Sequence, residues 1–418
     1  MKIGILTIGN ELTSGKTQDT NSSFIARQAN VQGWHVSVLM SVGDDEDAIR
    51  TGLEYTMSLS DCVIITGGLG PTVDDITTQA VANAFSLPLY SDASSLKNIK
   101  DRFSMLGLTW TENNAKQALF PEGAETILNP LGTARGFFLK KNGKGIVVMP
   151  GVPSETRRML PEEVIPIVRR EFSEDTVHVE NRLIKIFGIS EARIDDILSD
   201  IDFNELGVGI GFYPNFPEIH VFLTARCAAQ KEAKKKIKQA EEKIVHRLRP
   251  YIFAYDEEKL EEIVAALLTS KKLSLSVAES CTGGLVADRL TDIPGSSVYF
   301  ERGVIVYSNR SKTDILGVPE GVIDNFGAVS EQVAVLMAEG IRNISNADLG
   351  LATTGIAGPS GGTEEKPVGT LYVALTDGQE VFCRRYTFSW DRRRHKILSS
   401  QAALLMLRKY LIGELNAE

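Results

Sequence analysis

At 418 residues the chain exceeds what one hydrophobic core usually serves, so two or three domains are expected. Hydrophobic residues make up 43% and charged residues 24%, with no long apolar run, which excludes a disordered chain and a helical membrane-spanning one. A net charge of −9 argues against nucleic acid as the main partner, because backbone binding relies on clustered Lys and Arg.

The opening MKIGILTIG turns polar too quickly for a secretory signal and reads as a first strand, so a cytoplasmic location is expected. To about Arg170 short apolar runs alternate with amphipathic segments: KIGILTIG, NSSFIARQANVQG, HVSVLMSVG, DDEDAIRTGLEYTM and DCVIITGG. That alternation predicts a mainly parallel sheet with helices on both faces. Between Phe172 and Tyr255 the signals change. NRLIKIFGIS and EIHVFLTARC look like strands, ARIDDILSDI and KEAKKKIKQAEEKIVHRL like helices, and the basic run in the last interleaves acids as a solvated helix face does. A charged helical opening, DEEKLEEIVAALLTSKK, then starts a second series. LSLSVAE, GVIVYSN, DLGLATTG, GTLYVALT and EVFCRRYTF supply strands; EQVAVLMAEGIRNI and RRRHKILSSQAALLMLRKYL supply helices. The expected fold class is α/β: two three-layer α/β/α domains with mainly parallel sheets, residues 1–170 and 255–418, joined by a small α+β domain, residues 171–254. Cys62, Cys227, Cys281 and Cys383 lie far apart without CxxC pairing, so neither a zinc site nor a disulfide framework is indicated.

Ligands of an open parallel sheet collect where strands end and helices begin. Ser280 lies at such a point, between LSLSVAE and a helix starting near Gly283; Tyr307 and Lys312 bracket the end of GVIVYSN and the start of the next helix; TGIAGPSGG follows DLGLATTG. Ser280 is either a nucleophile or a helix N-cap. No GxSxG elbow with a histidine partner accompanies it, which leaves a Ser-Lys arrangement open. Lys312 serves as a base only if burial or a neighbouring cation lowers its pKa, and is otherwise a surface lysine. Cys281 competes as nucleophile, and serine is favoured because no histidine signature is near. The five glycines of TGIAGPSGGTEEKPVGT fit an anion nest or ordinary turns; the loop lacks a P-loop ending, and Lys366 and the Arg392–Arg394 run offer charge for an acidic ligand.

AESCTGGLVADRLTDIPGSSVYFERGVIVYSNRSKTDILGV, with GAVSE and TGIAGPSGGTEEKPVGT, resembles the C-terminal nicotinamide mononucleotide deamidase domain of the competence/damage-inducible protein A (CinA) family from about Leu260 onward. The resemblance implies a serine nucleophile, a lysine base and an assisting tyrosine at Ser280, Lys312 and Tyr307, hydrolysing a carboxamide without a cofactor. Thr353, Thr354 or main-chain donors beside Ser280 are candidates for the oxyanion, and Gly355, Ala357, Gly358, Lys366 and Arg392 for substrate binding.

In the N-terminal part, LSDCVIITGGLGPTVDDITTQAVANAF gives a buried strand, a glycine turn and a helix capped by Asp74 or Asp75, an arrangement that suits phosphate. With GNELTSG, VGDD, NNAKQALFPEGAE, NPLGTARGF and MPGVPSE, it resembles the molybdopterin-binding-like domain of CinA proteins. That resemblance implies ADP-ribose pyrophosphatase activity with a divalent metal such as Mg²⁺ and with K⁺. The matching positions are Glu11, Asp44, Gly67, Gly68, Gly70, Asp74, Asp75, Asn114, Lys116, Gln117 and Glu155, with Glu11, Asp74, Asp75 and Glu155 taken as metal ligands. Arg135 stands in GTARGF where proline or alanine is usual; it meets a phosphate or only alters a loop. TTQ likewise follows DDI where TRE is frequent. The expected activity is therefore bifunctional, on nicotinamide mononucleotide and on ADP-ribose. Two alternatives are a non-catalytic nucleotide- or pterin-binding module at the N-terminus and a DNA-uptake accessory, which the acidic charge disfavours. A homodimer and no membrane partner are expected.

Overall fold

The computed structural model describes residues 1–105, 107, 109–172 and 178–415; residues 173–177, near the expected start of the middle domain, lie outside the described residues. The chain divides into two compact units, residues 1–181 with 224–237, and residues 182–223 with 238–418.

In the first unit, β1 (Lys2–Ile8), α1 (Asn10–Thr13), α2 (Thr20–Val31), β2 (His35–Val42), α3 (Glu46–Leu59) and β3 (Cys62–Thr66) follow in turn. Then come α4 (Thr77–Ala84), β4 (Leu89–Ser91), α5 (Ala93–Met105), β5 (Leu119–Pro121), β6 (Glu125–Ile127), β7 (Gly136–Lys141), β8 (Lys144–Met149), α6 (Pro153–Met159) and α7 (Ile165–Glu171). The sheet order is β2-β1-β3-β8-β7-β6, parallel from β2 to β8 and antiparallel at β7 and β6. Every residue of CVIIT in β3 is buried, as a strand covered on both faces requires. One face packs on Ile25 and Ala29 of α2 and on Met159 and Val168; the other packs on Ile49 and Leu53 of α3 and on Ala80 and Val81 of α4. Asp19 and Asp45 cap α2 and α3 by accepting from Ser22 and Ala48 N–H. The cap expected at Asp74 or Asp75 is not formed: Ile76 occupies that position before α4, without a side-chain bond.

The middle segment runs β9 (His178–Ile186), α8 (Glu191–Leu198), β10 (Val208–Asn215), β11 (Glu218–Cys227), α9 (Gln230–Leu248) and β12 (Ile252–Tyr255), its strands ordered β10-β11-β9-β12.

The C-terminal series continues with α10 (Leu260–Lys271), β13 (Leu275–Glu279), α11 (Leu285–Thr291), β14 (Phe300–Ile305), α12 (Asn309–Leu316) and α13 (Glu320–Phe326). It closes with α14 (Glu331–Ser345), β15 (Leu349–Gly355), β16 (Thr370–Thr376), β17 (Val381–Thr387) and α15 (Arg392–Leu411). The sheet is β14-β13-β15-β16-β17, with β13 parallel to both its neighbours and the last two strands antiparallel. Helices α10, α11 and α15 bury leucines on one face, while α14 buries Val333, Met337 and Ile341 on the other. The fold class is thus α/β, with helices on both faces of each large sheet. In both sheets the earliest strand is central and its successors add on opposite sides, which opens a crevice at the strands' C-terminal ends. No helix among the described residues is long and apolar enough to cross a membrane.

Candidate active sites

Ser280 follows the last residue of β13, and its N–H donates to the Thr353 carbonyl of β15 at 3.0 Å. Its side chain is not a helix cap. The N-cap of α11 is Gly284, and the start of that helix is instead held by Glu279, whose carboxylate accepts from the N–H groups of Gly284, Val286 and Ala287 at 2.9, 3.1 and 2.8 Å. Glu279 is 1% exposed. Sequence reasoning passed over it, although a carboxylate at the end of an apolar strand was the available signal.

Lys312 lies on α12, whose start is fixed by a reciprocal capping box between Ser308 and Ser311. The lysine is 1% exposed, and its Nζ lies 3.1 Å from Ser280 Oγ, 2.8 Å from the Val306 carbonyl and 3.4 Å from the Tyr307 carbonyl. Burial pushes the Lys312 pKa down. A neutral amine has two N–H donors and one lone pair; with the donors on the two carbonyls, the lone pair is left for the Ser280 hydroxyl. Cys281 points into the apolar core, and burial drives its thiol up to about 12, which removes the thiolate at neutral pH.

Other expected residues are spread more widely. The Tyr307 side chain is 59% exposed and its hydroxyl accepts from Arg392, which also donates to the Gly358 carbonyl at 2.9 Å. Tyr307 therefore meets Lys312 through its main chain. Thr353 Oγ1 pairs with Thr282 Oγ1 at 2.7 Å, and Thr354 donates to the Ala328 carbonyl at 2.8 Å. Gly355 ends β15 beside the Cys281 sulfur, Ala357 is buried, and Lys366 donates to the Phe326 carbonyl at 2.6 Å.

In the first unit, the C-terminal ends of β1, β2, β3 and β8 surround a cavity of about 500 Å³. Glu11, Asp44, Gly67, Gly68, Gly70, Asp74, Asp75, Gln117 and Glu155 all line it. Gly67 and Gly68 have φ of 110° and 66°, and a Cβ on either would lie 2.1 Å from the Ile8 carbonyl oxygen or from Thr77 Oγ1 respectively. Burial raises the Asp44 pKa, and the carboxylates of Glu11, Asp74 and Asp75 add to the rise, while its bond from Asn10 N–H opposes it. Asp75 accepts from Thr72 N–H at 2.9 Å, the Thr72 hydroxyl is shared between Asp74 and Asp75, and Glu155 accepts from Asn129 at 2.8 Å. Asn114 is turned inward onto Thr111, and Lys116 donates to the Thr72 carbonyl beside the cavity.

This set of hard oxygen donors suits Mg²⁺ or K⁺. Among the described residues no three His, Cys, Asp or Glu side chains converge into a ready-made metal cage. Mg²⁺ commonly takes one or two carboxylates together with substrate phosphates, so an acidic cavity of this kind fits it.

Three profiles divide the chain between them. Residues 4–170 match the probable molybdopterin binding domain, residues 181–254 the damage-inducible protein CinA KH domain, and residues 257–411 the CinA C-terminal domain. The KH-matched stretch contains no G-x-x-G, the sequence with which KH loops clamp a nucleic-acid backbone. The chain is similar along its whole length to a CinA-like protein of Syntrophus aciditrophicus, 58% identical over 412 residues and 98% of each chain. It is also similar to a CinA-like protein of Geotalea uraniireducens, 43% identical over 418 residues, 100% of this chain and 99% of that one. Among solved structures, the competence/damage inducible protein CihA from Agrobacterium tumefaciens is 40% identical over 37% of this chain and 95% of its own, with a TM-score of 0.35. The chain belongs to the CinA family.

Proposed function

We propose that the C-terminal series hydrolyses nicotinamide mononucleotide to nicotinate mononucleotide and ammonia. The observation that carries this reading is the buried Lys312 amine 3.1 Å from Ser280 Oγ. Ser280 Oγ attacks the carboxamide carbon as its proton passes to Lys312, giving a tetrahedral intermediate. Collapse breaks the C–N bond, and the proton held by Lys312 leaves with ammonia. Tyr307 relays it if its hydroxyl exchanges Arg392 for the substrate. Water then attacks the acyl-serine ester as Lys312 takes one of its protons; the acyl C–Oγ bond breaks, Lys312 returns the proton to Ser280 Oγ, and the carboxylate product departs. Main-chain N–H groups in the turn that follows Ser280 are the candidate oxyanion donors. Ammonia release by wild type, Ser280→Ala, Lys312→Ala and Cys281→Ala tests the assignment: loss in the serine and lysine variants with activity kept in the cysteine variant is expected, and the reverse pattern overturns it.

For the N-terminal unit the reading is metal-dependent hydrolysis of ADP-ribose to AMP and ribose 5-phosphate. Glu11, Asp44, Asp74 and Glu155 would hold the cation, with Asp75 ordering the turn through Thr72. A bound divalent cation supplies charge that polarises phosphorus for attack by water. The glycine turn brings the main chain close to the phosphates, and the acidic wall keeps the site from accepting an anion until it is neutralised. A non-catalytic binding module is the second reading, favoured by the lack of a convergent carboxylate cage among the described residues. Phosphate freed from AMP and ribose 5-phosphate by added phosphatase, dependent on Mg²⁺, separates the two.

A further inference from the structure

A second hollow, of about 210 Å³, opens off the same glycine turn and shares Gly68, Leu69, Gly70, Asp75 and Gln117 with the acidic cavity. The two differ in charge. The larger is walled by carboxylates with no Lys or Arg among its lining residues, whereas Lys116 and Arg135 line the smaller. Lys116 is occupied by the Thr72 carbonyl. Arg135, half-buried, has no hydrogen bond or ion pair among the described residues. Asp92 acts on Arg135 at longer range, but its carboxylate is already taken by Ser94 and Ser95.

Gln117 stands between the hollows and is 8% exposed, yet its Oε1 has no partner; its amide nitrogen donates to the Leu69 carbonyl at 3.4 Å. A buried acceptor left unmade costs stability unless a ligand supplies the donor. An unpartnered acceptor and an unoccupied guanidinium lining one hollow match a sugar hydroxyl and a phosphate on the same ligand: the hydroxyl donates to Oε1, and the phosphate accepts from the Arg fork. Ile76, Leu89 and Leu119 give the hollow an apolar wall for a base.

We propose that this hollow is a phosphate subsite, so that the N-terminal unit takes a nucleoside diphosphate sugar bearing a further phosphomonoester on its adenosine ribose. This rests on the reading of the acidic cavity as the diphosphate site. Arg135 binds the added phosphate and Gln117 the adjacent ribose hydroxyl. Adenosine 2′,5′-bisphosphate and AMP differ only by that phosphate, and neither contains the diphosphate bond, so titration calorimetry of the whole chain with each isolates binding from hydrolysis. The bisphosphate is expected to bind at least about tenfold more tightly, an advantage that Arg135→Gln removes while leaving AMP binding unchanged. Equal affinities in the wild type overturn the proposal, with no need of a variant. Arg135→Gln weakening both ligands alike also overturns it, since Arg135 would then read the shared 5′-phosphate. A wild-type preference for the bisphosphate without ADP-ribose hydrolysis supports the subsite and removes only the hydrolytic reading.

Discussion

Replacing Glu279 by Gln tests whether one buried carboxylate holds the Ser280 turn in place. The carboxylate accepts three main-chain N–H groups, from Gly284, Val286 and Ala287. Hydrogen bonds to a charged acceptor contribute about 1.5–3 kcal/mol each. A Gln carbonyl keeps at most two of them and turns its NH₂ toward a donor, so the net loss is about 3 kcal/mol, the value of one charged bond with the opposed donors added. For a domain of this size that lowers the unfolding midpoint by roughly 6–12 °C. The same change frees the residues that follow Ser280, so kcat for ammonia release falls with it, while KM moves less. Thermal unfolding and steady-state kinetics on the full chain read both quantities. A Glu279→Gln variant that melts within a degree of the wild type and keeps its kcat would refute the claim that these three bonds set the turn.

Deamidation should gain kcat/KM as pH rises through the lowered Lys312 pKa, because only the neutral amine accepts the Ser280 proton; a profile falling over that range would remove the lysine from the role. The same shift has a stability consequence. Unfolded Lys312 binds a proton more readily than folded Lys312, so the wild type gains stability with pH between the lowered value and 10.5, and Lys312→Met should flatten that rise in urea midpoints. Asp44 behaves in the opposite sense. Its raised pKa is a cost absent below 3.8 and fully present above the folded value, so at neutral pH without divalent cations Asp44→Asn should raise the melting temperature. Gly68→Ala places a Cβ 2.1 Å from Thr77 Oγ1 at a φ of 66° and should cost about 2 kcal/mol or more, measured by urea unfolding of the whole chain.

The alternation of apolar runs with amphipathic stretches made β1, β3, β13 and β15 legible, since interior parallel strands need continuous apolar residues and their helices need a periodic face. Ser280 and Lys312 could be singled out because both sit where strands hand over to helices. What buries Lys312 could not be read: a lysine in a polar helix looks solvated until the capped start of α12 carries it under the Val306 carbonyl. Tyr307 shows the converse, since position along the chain gives no direction for a phenol that turns to Arg392. Asp75 also defied its pattern. An aspartate just before a helix reads as a cap, but a hydroxyl and an N–H on Thr72 offered it a nearer pair of donors.

The hydrogen bond from Ser280 N–H to the Thr353 carbonyl extends the β13–β15 ladder by one residue, past the strand and into the attacking side chain's own peptide unit. The reacting oxygen therefore shares the mobility of the sheet interior and not that of a surface loop. Misaligning it requires parting two neighbouring strands, so the amide proton of Ser280 should exchange with solvent as slowly as those within the strands.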